Sequence, residues 1–95
     1  KNKMFFENNQ INNSKVYLYC NTVPAYICKE VLKYYKYNFK KIVDDYDFNN
    51  RRDFFKKIKY ENSVIIICNS NIRTSRNIKK KLKNFGINNI LTFVD

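Results

Sequence analysis

The feature that most constrains the fold of this chain is the uninterrupted apolar run at residues 64–68, with the sequence VIIIC. A strand that is buried on one face alternates apolar and polar residues, whereas this run has no polar side. Continuous β-branched runs of this kind are typical of parallel sheets that are covered on both faces. The run therefore predicts a central strand with helices packed above and below it.

Other segments of the chain follow the same logic. β-branched and aromatic residues predict strands at 16–20, 39–43 and 90–94. Between the strands, apolar residues recur at helical spacing, namely Ile27, Val31 and Tyr35, then Phe54 and Ile58, then Ile78, Leu82 and Phe85. This alternation predicts a single α/β domain over residues 15–95, with a mostly parallel central sheet and helices on both faces. The Asn-rich residues 1–14 are predicted to form an N-terminal arm.

Several helix boundaries are predicted from local chemistry. Asn50 is a suitable N-cap, with Asp53 three residues later in the position of a capping box. Gly86 follows the last helical segment, where a left-handed C-cap is favoured. The three acids Asp44, Asp45 and Asp47 are interpreted as a solvated turn.

Composition excludes several classes of function. The chain contains no His, so it cannot hold a Ser-His-Asp or Cys-His catalytic set. It has one Gly and one Pro, which excludes a Gly-rich phosphate-binding loop. Three Cys without His do not favour a zinc site, and no metal or cofactor is predicted. No apolar run is longer than residues 64–68, so no membrane span is predicted.

The charge balance points to anionic partners. The formal net charge is +11, but abundant Lys and Asn also reflect an AT-rich genome. Within the last helical segment, Lys79, Lys80, Lys81 and Lys83 lie opposite the apolar positions, and no acid follows them before Asp95. We interpret these lysines as a solvated helix face that could bind a polyanion such as RNA weakly. An odd number of cysteines favours a reducing intracellular compartment, cytoplasm or organelle matrix.

The loop after the buried strand is the candidate site. In a parallel sheet, ligands gather at the carboxyl ends of the strands. Cys68 stands at such an end, and Arg73 and Arg76 follow in the loop and the first turn of the next helix. A helix N-terminus and nearby cations lower the pKa of a thiol and attract small anions. The sequence therefore predicts a reactive thiolate at Cys68.

This segment resembles the C-terminal half of a single-domain rhodanese. The family pattern Cys-x-Ser-Gly-x-Arg-Ser is matched by Cys68, Ser70, Arg73 and Thr74, with Asn71 in place of the Gly. The following helix ends in a similar motif that contains Gly86. The resemblance implies a sulfurtransferase that carries a persulfide on Cys68. It implies that backbone N–H groups from Asn69 to Arg73 surround the persulfide sulfur. Together with the charge argument, this predicts a substrate site formed by Asn69, Ser70, Asn71, Ile72, Arg73, Thr74 and Arg76. Thiosulfate would be a donor, and cyanide or a protein thiol an acceptor.

Two alternatives to a sulfurtransferase remain open, a thioredoxin-like domain and a structural subunit. Residues 29–33 and 39–42 are similar to the first helix and second strand of glutaredoxins, which predicts a non-catalytic thioredoxin-like domain with a mixed sheet. The second alternative is a basic structural subunit of a large assembly, such as an organellar ribonucleoprotein. Cys20 and Cys28 are predicted to be core residues, and a relay thiol that accepts sulfur from Cys68 is the alternative for both.

Overall fold

The sheet is built around β3 (Ser63–Cys68), all of whose residues are buried. The computed structural model describes residue 11 and residues 13–93. In chain order the other elements are β1 (Lys15–Tyr19), α1 (Val23–Tyr34), β2 (Asn38–Val43), α2 (Asp45–Asn50), α3 (Arg52–Tyr60), α4 (Ile72–Phe85) and β4 (Ile90–Phe93). Helices and strands thus alternate as the apolar spacing predicts, with two helices between β2 and β3.

The described strands form one sheet of four in the order β2-β1-β3-β4, and every neighbouring pair is parallel. β3 lies between β1 and β4, and Ile66 at its centre has no exposed surface. The predicted α/β fold with a parallel sheet and a central buried strand is confirmed. A mixed sheet, which the thioredoxin-like reading predicts, is not what the described strands form.

Each face of the sheet carries its own helical layer. Successive side chains of a strand point to opposite faces, so Leu18 and Ile66 pack with Cys28 and Leu32 of α1. The neighbouring residues of β1 and β3 pack on the other face, in a cluster that contains Tyr19, Ile65, Ile67, Phe48, Phe55, Ile78 and Leu82. The sheet therefore separates the α1 side from the side that α2, α3 and α4 cover.

The acidic segment after β2 begins a helix and is not the solvated turn that we predicted. The Asp44 carboxylate accepts a hydrogen bond from the Asp47 N–H at 3.0 Å, and the Asp47 carboxylate accepts one from the Asp44 N–H at 3.1 Å. This reciprocal pair is a capping box, because it satisfies N–H groups that the first helical turn leaves without partners. The box predicted at Asn50 and Asp53 is wrong, since α3 begins at Arg52.

The predicted arm falls mostly on residues 1–10 and 12, which lie outside the described residues. Ile11 is only 2% exposed and belongs to the apolar cluster on the α1 side. Ser14 is also buried, immediately before β1. The end of the predicted arm therefore contributes to the core.

Gly86 provides a test of the backbone at the end of α4. Its φ of +102° lies in the left-handed region, as predicted for this C-cap, and its N–H donates to the Lys83 carbonyl at 2.9 Å. We expect Gly86→Ala to lower the free energy of unfolding by about 1–2 kcal/mol, because an L-residue is strained in this conformation. Urea denaturation measures the loss.

A second variant separates backbone strain from steric crowding. A Cβ at position 86 would lie 2.6 Å from Cε of Lys59, the mobile end of a flexible side chain. In a Lys59→Ala background, Gly86→Ala should therefore cost about the same. If Lys59→Ala removes the cost, crowding and not the left-handed backbone explains the need for glycine.

Candidate functional site

The loops that follow β1 and β3 meet at the carboxyl edge of the sheet. β1 leads to α1 on one face and β3 leads to α4 on the other, so the chain changes direction between these two strands. The Thr22 hydroxyl donates to the Cys68 carbonyl at 2.6 Å, and the Asn69 side-chain amide donates to Sγ of Cys20 at 3.8 Å. These contacts bring Cys20 and Cys68 together at the place where open α/β sheets bind ligands.

The thiol of Cys68 points into the core on the α1 side. Its residue has no exposed surface, and its Sγ donates to the Ile66 carbonyl at 3.5 Å. A hydrogen bond with the Cys28 thiol, followed by burial, raises the pKa of Cys68 far above that of an ordinary thiol. The predicted low pKa is therefore wrong for this conformation, in which Cys68 is protonated at neutral pH.

The backbone N–H groups of the loop bond to side-chain oxygens and not, as predicted, to the Cys68 sulfur. The Asn71 N–H donates to Oδ1 of Asn69 at 2.8 Å, and the Thr74 N–H donates to Oδ1 of Asn71 at 3.0 Å. Asn71 thereby acts as the N-cap of α4, and the Ser75 hydroxyl donates to the Asn69 carbonyl at 3.1 Å. The N–H groups of Asn71 and Thr74 therefore donate to neighbouring Asn side chains and do not surround the Cys68 sulfur.

The remaining predicted binding residues lie on the outer surface of the same loop and of the start of α4. Ser70, Ile72, Arg73 and Arg76 are all exposed. Within residues 13–93, neither guanidinium forms an ion pair. The structure thus brings two available cations to the start of α4, where the helix dipole also attracts anions. It does not bring them together with the Cys68 thiol, which faces away into the core.

Sequence reasoning missed the role of Cys20 at this edge. Its φ of +87° is left-handed, which is uncommon for a residue other than Gly, Asn or Asp. The side chain is 9% exposed, and burial raises its pKa despite the hydrogen bond from Asn69. Nothing in the residue type predicts a left-handed backbone, so the sequence could indicate only that Cys20 is buried. That prediction, and the one for Cys28, are confirmed.

Next to Cys20, Asp45 joins β1 to α4. Its carboxylate accepts hydrogen bonds from the Lys81 ammonium and the Tyr19 hydroxyl, and these two bonds lower the pKa of Asp45. The Lys81 ammonium also lies 4.9 Å from the Phe48 ring centre. Lys81 is therefore neutralised locally. Of the four lysines that were predicted to form a basic face, Lys80 and Lys83 are exposed, whereas Lys79 and Lys81 are half-buried.

Comparisons with known proteins find no matching family model and no significant match among curated proteins or solved structures. Within residue 11 and residues 13–93, no helix has the length and apolar character to cross a membrane. The same residues contain no cluster of three metal-ligating side chains.

The order in which the thiols react tests this arrangement. Near neutral pH, iodoacetamide should modify Cys20 before Cys28 and Cys68, because both of the latter are 0% exposed. The rate at Cys20 should keep rising above the ordinary thiol pKa of about 8.5, since a raised pKa keeps it protonated at lower pH. Mass spectrometry of proteolytic fragments identifies the modified residue.

The urea-unfolded chain is the control, in which all three thiols should react alike. Preferential labelling of Cys68 in the folded chain at neutral pH would contradict the buried, protonated state described above.

Proposed function

We propose that this chain is a rhodanese-like domain that carries sulfane sulfur on Cys68. One observation carries the proposal: Cys68 ends the central strand at the carboxyl edge of the sheet, where β1 and β3 lead to opposite faces, and it lies shortly before α4. The Cys-x-Ser-x-x-Arg-Thr loop that supports the family resemblance thus occupies the ligand-binding edge of a parallel sheet. A parallel sheet also favours this resemblance over the thioredoxin-like alternative.

The proposed chemistry is two successive displacements at sulfur. The Cys68 thiolate attacks the outer sulfur of thiosulfate, the S–S bond of the donor breaks, and sulfite leaves with the bonding electrons. An acceptor thiolate or cyanide then attacks the outer sulfur of the Cys68 persulfide, and the Cys68 thiolate leaves. No external oxidant or reductant is consumed, and no His is required, because the nucleophile is a thiolate.

The described conformation corresponds to a resting state in this scheme. Since Cys68 is protonated beside Cys28, the reaction needs its Sγ to turn toward the N-terminus of α4. The backbone sets the face to which Cys68 points, and the Thr22 hydroxyl donates to the Cys68 carbonyl at 2.6 Å. The change therefore requires the end of β3 to shift together with the side chain. In the turned position, Arg73 and the helix dipole would favour the thiolate and lower its pKa.

Incubation with thiosulfate tests the assignment. We expect one sulfur atom to be added to Cys68, and Cys68→Ser to abolish the addition, because Ser cannot hold a persulfide. Cys20→Ser is the matched control and should still be loaded. Arg73→Ala should slow loading by thiosulfate, since it removes a cation that faces the anionic donor. Intact-mass and fragment mass spectrometry measure each result.

Replacing Cys28 tests whether the buried Cys68 thiol can become reactive or is permanently unreactive. Cys28→Ala removes the thiol that does most to raise the pKa of Cys68, so it should accelerate loading, and by more than Cys20→Ala does. If neither the wild-type chain nor Cys28→Ala gains sulfur on Cys68, the sulfurtransferase proposal fails.

The complete burial of Cys68 favours a second candidate function. A chain with this fold and an inert thiol would be a non-catalytic, basic structural subunit, whose core includes Cys28 and Cys68. Its partners would be recognised by surface charge. Under either function the three free thiols fit a reducing compartment, and we propose the cytoplasm or an organelle matrix.

A further inference from the structure

A groove lies between α4 and the α2–α3 segment, on the side of the sheet that is opposite to Cys28 and the Cys68 thiol. Its volume is about 440 Å³, and Phe48 and Phe85 form its apolar floor. Arg52 and Lys80 contribute cations, while Asn77 and Asn84 contribute side-chain amides. The groove thus combines apolar rings, hydrogen-bonding amides and positive charge in one place.

Arg52 is fixed over this floor. Its Nε donates to the Phe48 carbonyl at 2.6 Å, and the guanidinium carbon lies 4.4 Å from the centre of the Phe48 ring and 5.7 Å from that of Phe85. A guanidinium has five N–H donors, so this bond leaves four for a ligand. The residue is exposed and, within residues 13–93, forms no ion pair. A fixed, planar cation of this kind can stack on a base or bind a phosphate.

Positive charge continues from the groove along α4. Lys80 and Asn84 also line a neighbouring groove of about 390 Å³ with Arg76, Lys79 and Lys83. Arg76, Lys80 and Lys83 recur every three or four residues and therefore share one side of the helix. No acidic residue occurs between Glu61 and Asp95, so no carboxylate of α4 or β4 neutralises this side.

These features favour a nucleic acid over other polyanions. An acidic peptide needs only the cations, whereas the amides and the stacked guanidinium match base edges and base faces. A membrane surface would require several exposed apolar side chains beside the cations. Ile72 is the one exposed aliphatic residue of α4, whereas Ile78 and Leu82 are buried in the core. Bases that stack on a protein must be unpaired, which points to a single strand.

We propose that single-stranded nucleic acid binds along α4, with one base stacked on the Arg52 guanidinium in the groove and adjacent phosphates on Lys80 and Lys83. Lys81 does not take part, because Asp45 already neutralises it. This inference does not depend on sulfur transfer, since Arg52, Lys80 and Lys83, which would contact the strand, all lie outside the predicted Cys68 site.

Fluorescence anisotropy with labelled single-stranded RNA and DNA oligonucleotides tests the proposal. We expect salt-sensitive binding that Lys80→Glu weakens about tenfold or more, with a shallower dependence on salt, because a phosphate contact is lost. Lys40→Glu makes the same charge change on exposed β2, across the sheet, and should have a much smaller effect. The double variant Asp45→Asn with Lys81→Gln removes both charges of a pair that is already neutral, so it should also leave affinity nearly unchanged.

Arg52→Lys separates stacking from charge. Lysine keeps the positive charge but loses the planar guanidinium, so we expect affinity to fall although the net charge is constant. Urea denaturation of each variant verifies folding, and Lys80→Glu remains informative if Arg52→Lys destabilises the chain. Equal effects of Lys80→Glu and Lys40→Glu would overturn the site. Equal binding of duplex, or equal competition by poly-glutamate, would overturn the preference for a single strand.

Thiosulfate loading of Cys68 in Lys80→Glu keeps the two proposals apart. Loading should equal that of the wild-type chain, because Lys80 lies outside the thiol site. Loss of loading in Lys80→Glu while folding is intact would contradict the independence of the groove from the Cys68 loop.

Discussion

The burial of β3 on both faces is the constraint on which the rest of the structure depends. A strand whose six residues are all buried can exist only if helices cover each face of the sheet. The α1 layer and the α2–α4 layer meet this requirement, and the connections between parallel strands supply both. Removing apolar surface from water dominates the stability of such a domain. The direction of β3 also places its carboxyl end, and hence Cys68, at the edge of the sheet where β1 and β3 lead to opposite faces.

The parts of the fold that could be predicted are those that depend on apolar spacing. The run at 64–68 and the repeat of Ile78 and Leu82 each describe a buried surface, and burial is what these patterns report. The C-cap at Gly86 could also be predicted, because few residues other than glycine adopt the left-handed conformation. The first residues of the helices were harder to predict from the sequence. Asp44 and Asn50 are both good caps by type, and only the end of β2 at Val43 decides that Asp44 is used.

The candidate site could be located from the sequence but its state could not. Position at the end of β3 follows from the apolar run, whereas the face to which Cys68 points depends on the pairing of β3 with β1 and on where α1 packs. On the α1 side the Cys68 thiol lies beside Cys28 in the core, and both the neighbouring thiol and burial raise its pKa. The same thiol turned to the α4 side would meet a helix N-terminus, and the pKa would shift downward. The Arg52 groove was missed because its members come from three helices that only the fold brings together.

The left-handed backbone at Cys20 has a consequence for how the sequence of this domain can vary. β1 is otherwise extended and rich in β-branched and aromatic residues, which would suggest that Val or Ile is acceptable one position further on. A β-branched residue is strongly disfavoured at positive φ, while Gly and Asn adopt this conformation readily. In homologous chains, position 20 should therefore alternate among Cys, Gly and Asn and exclude Val, Ile and Thr. Substitution at this single position would follow a rule opposite to that of the five residues before it.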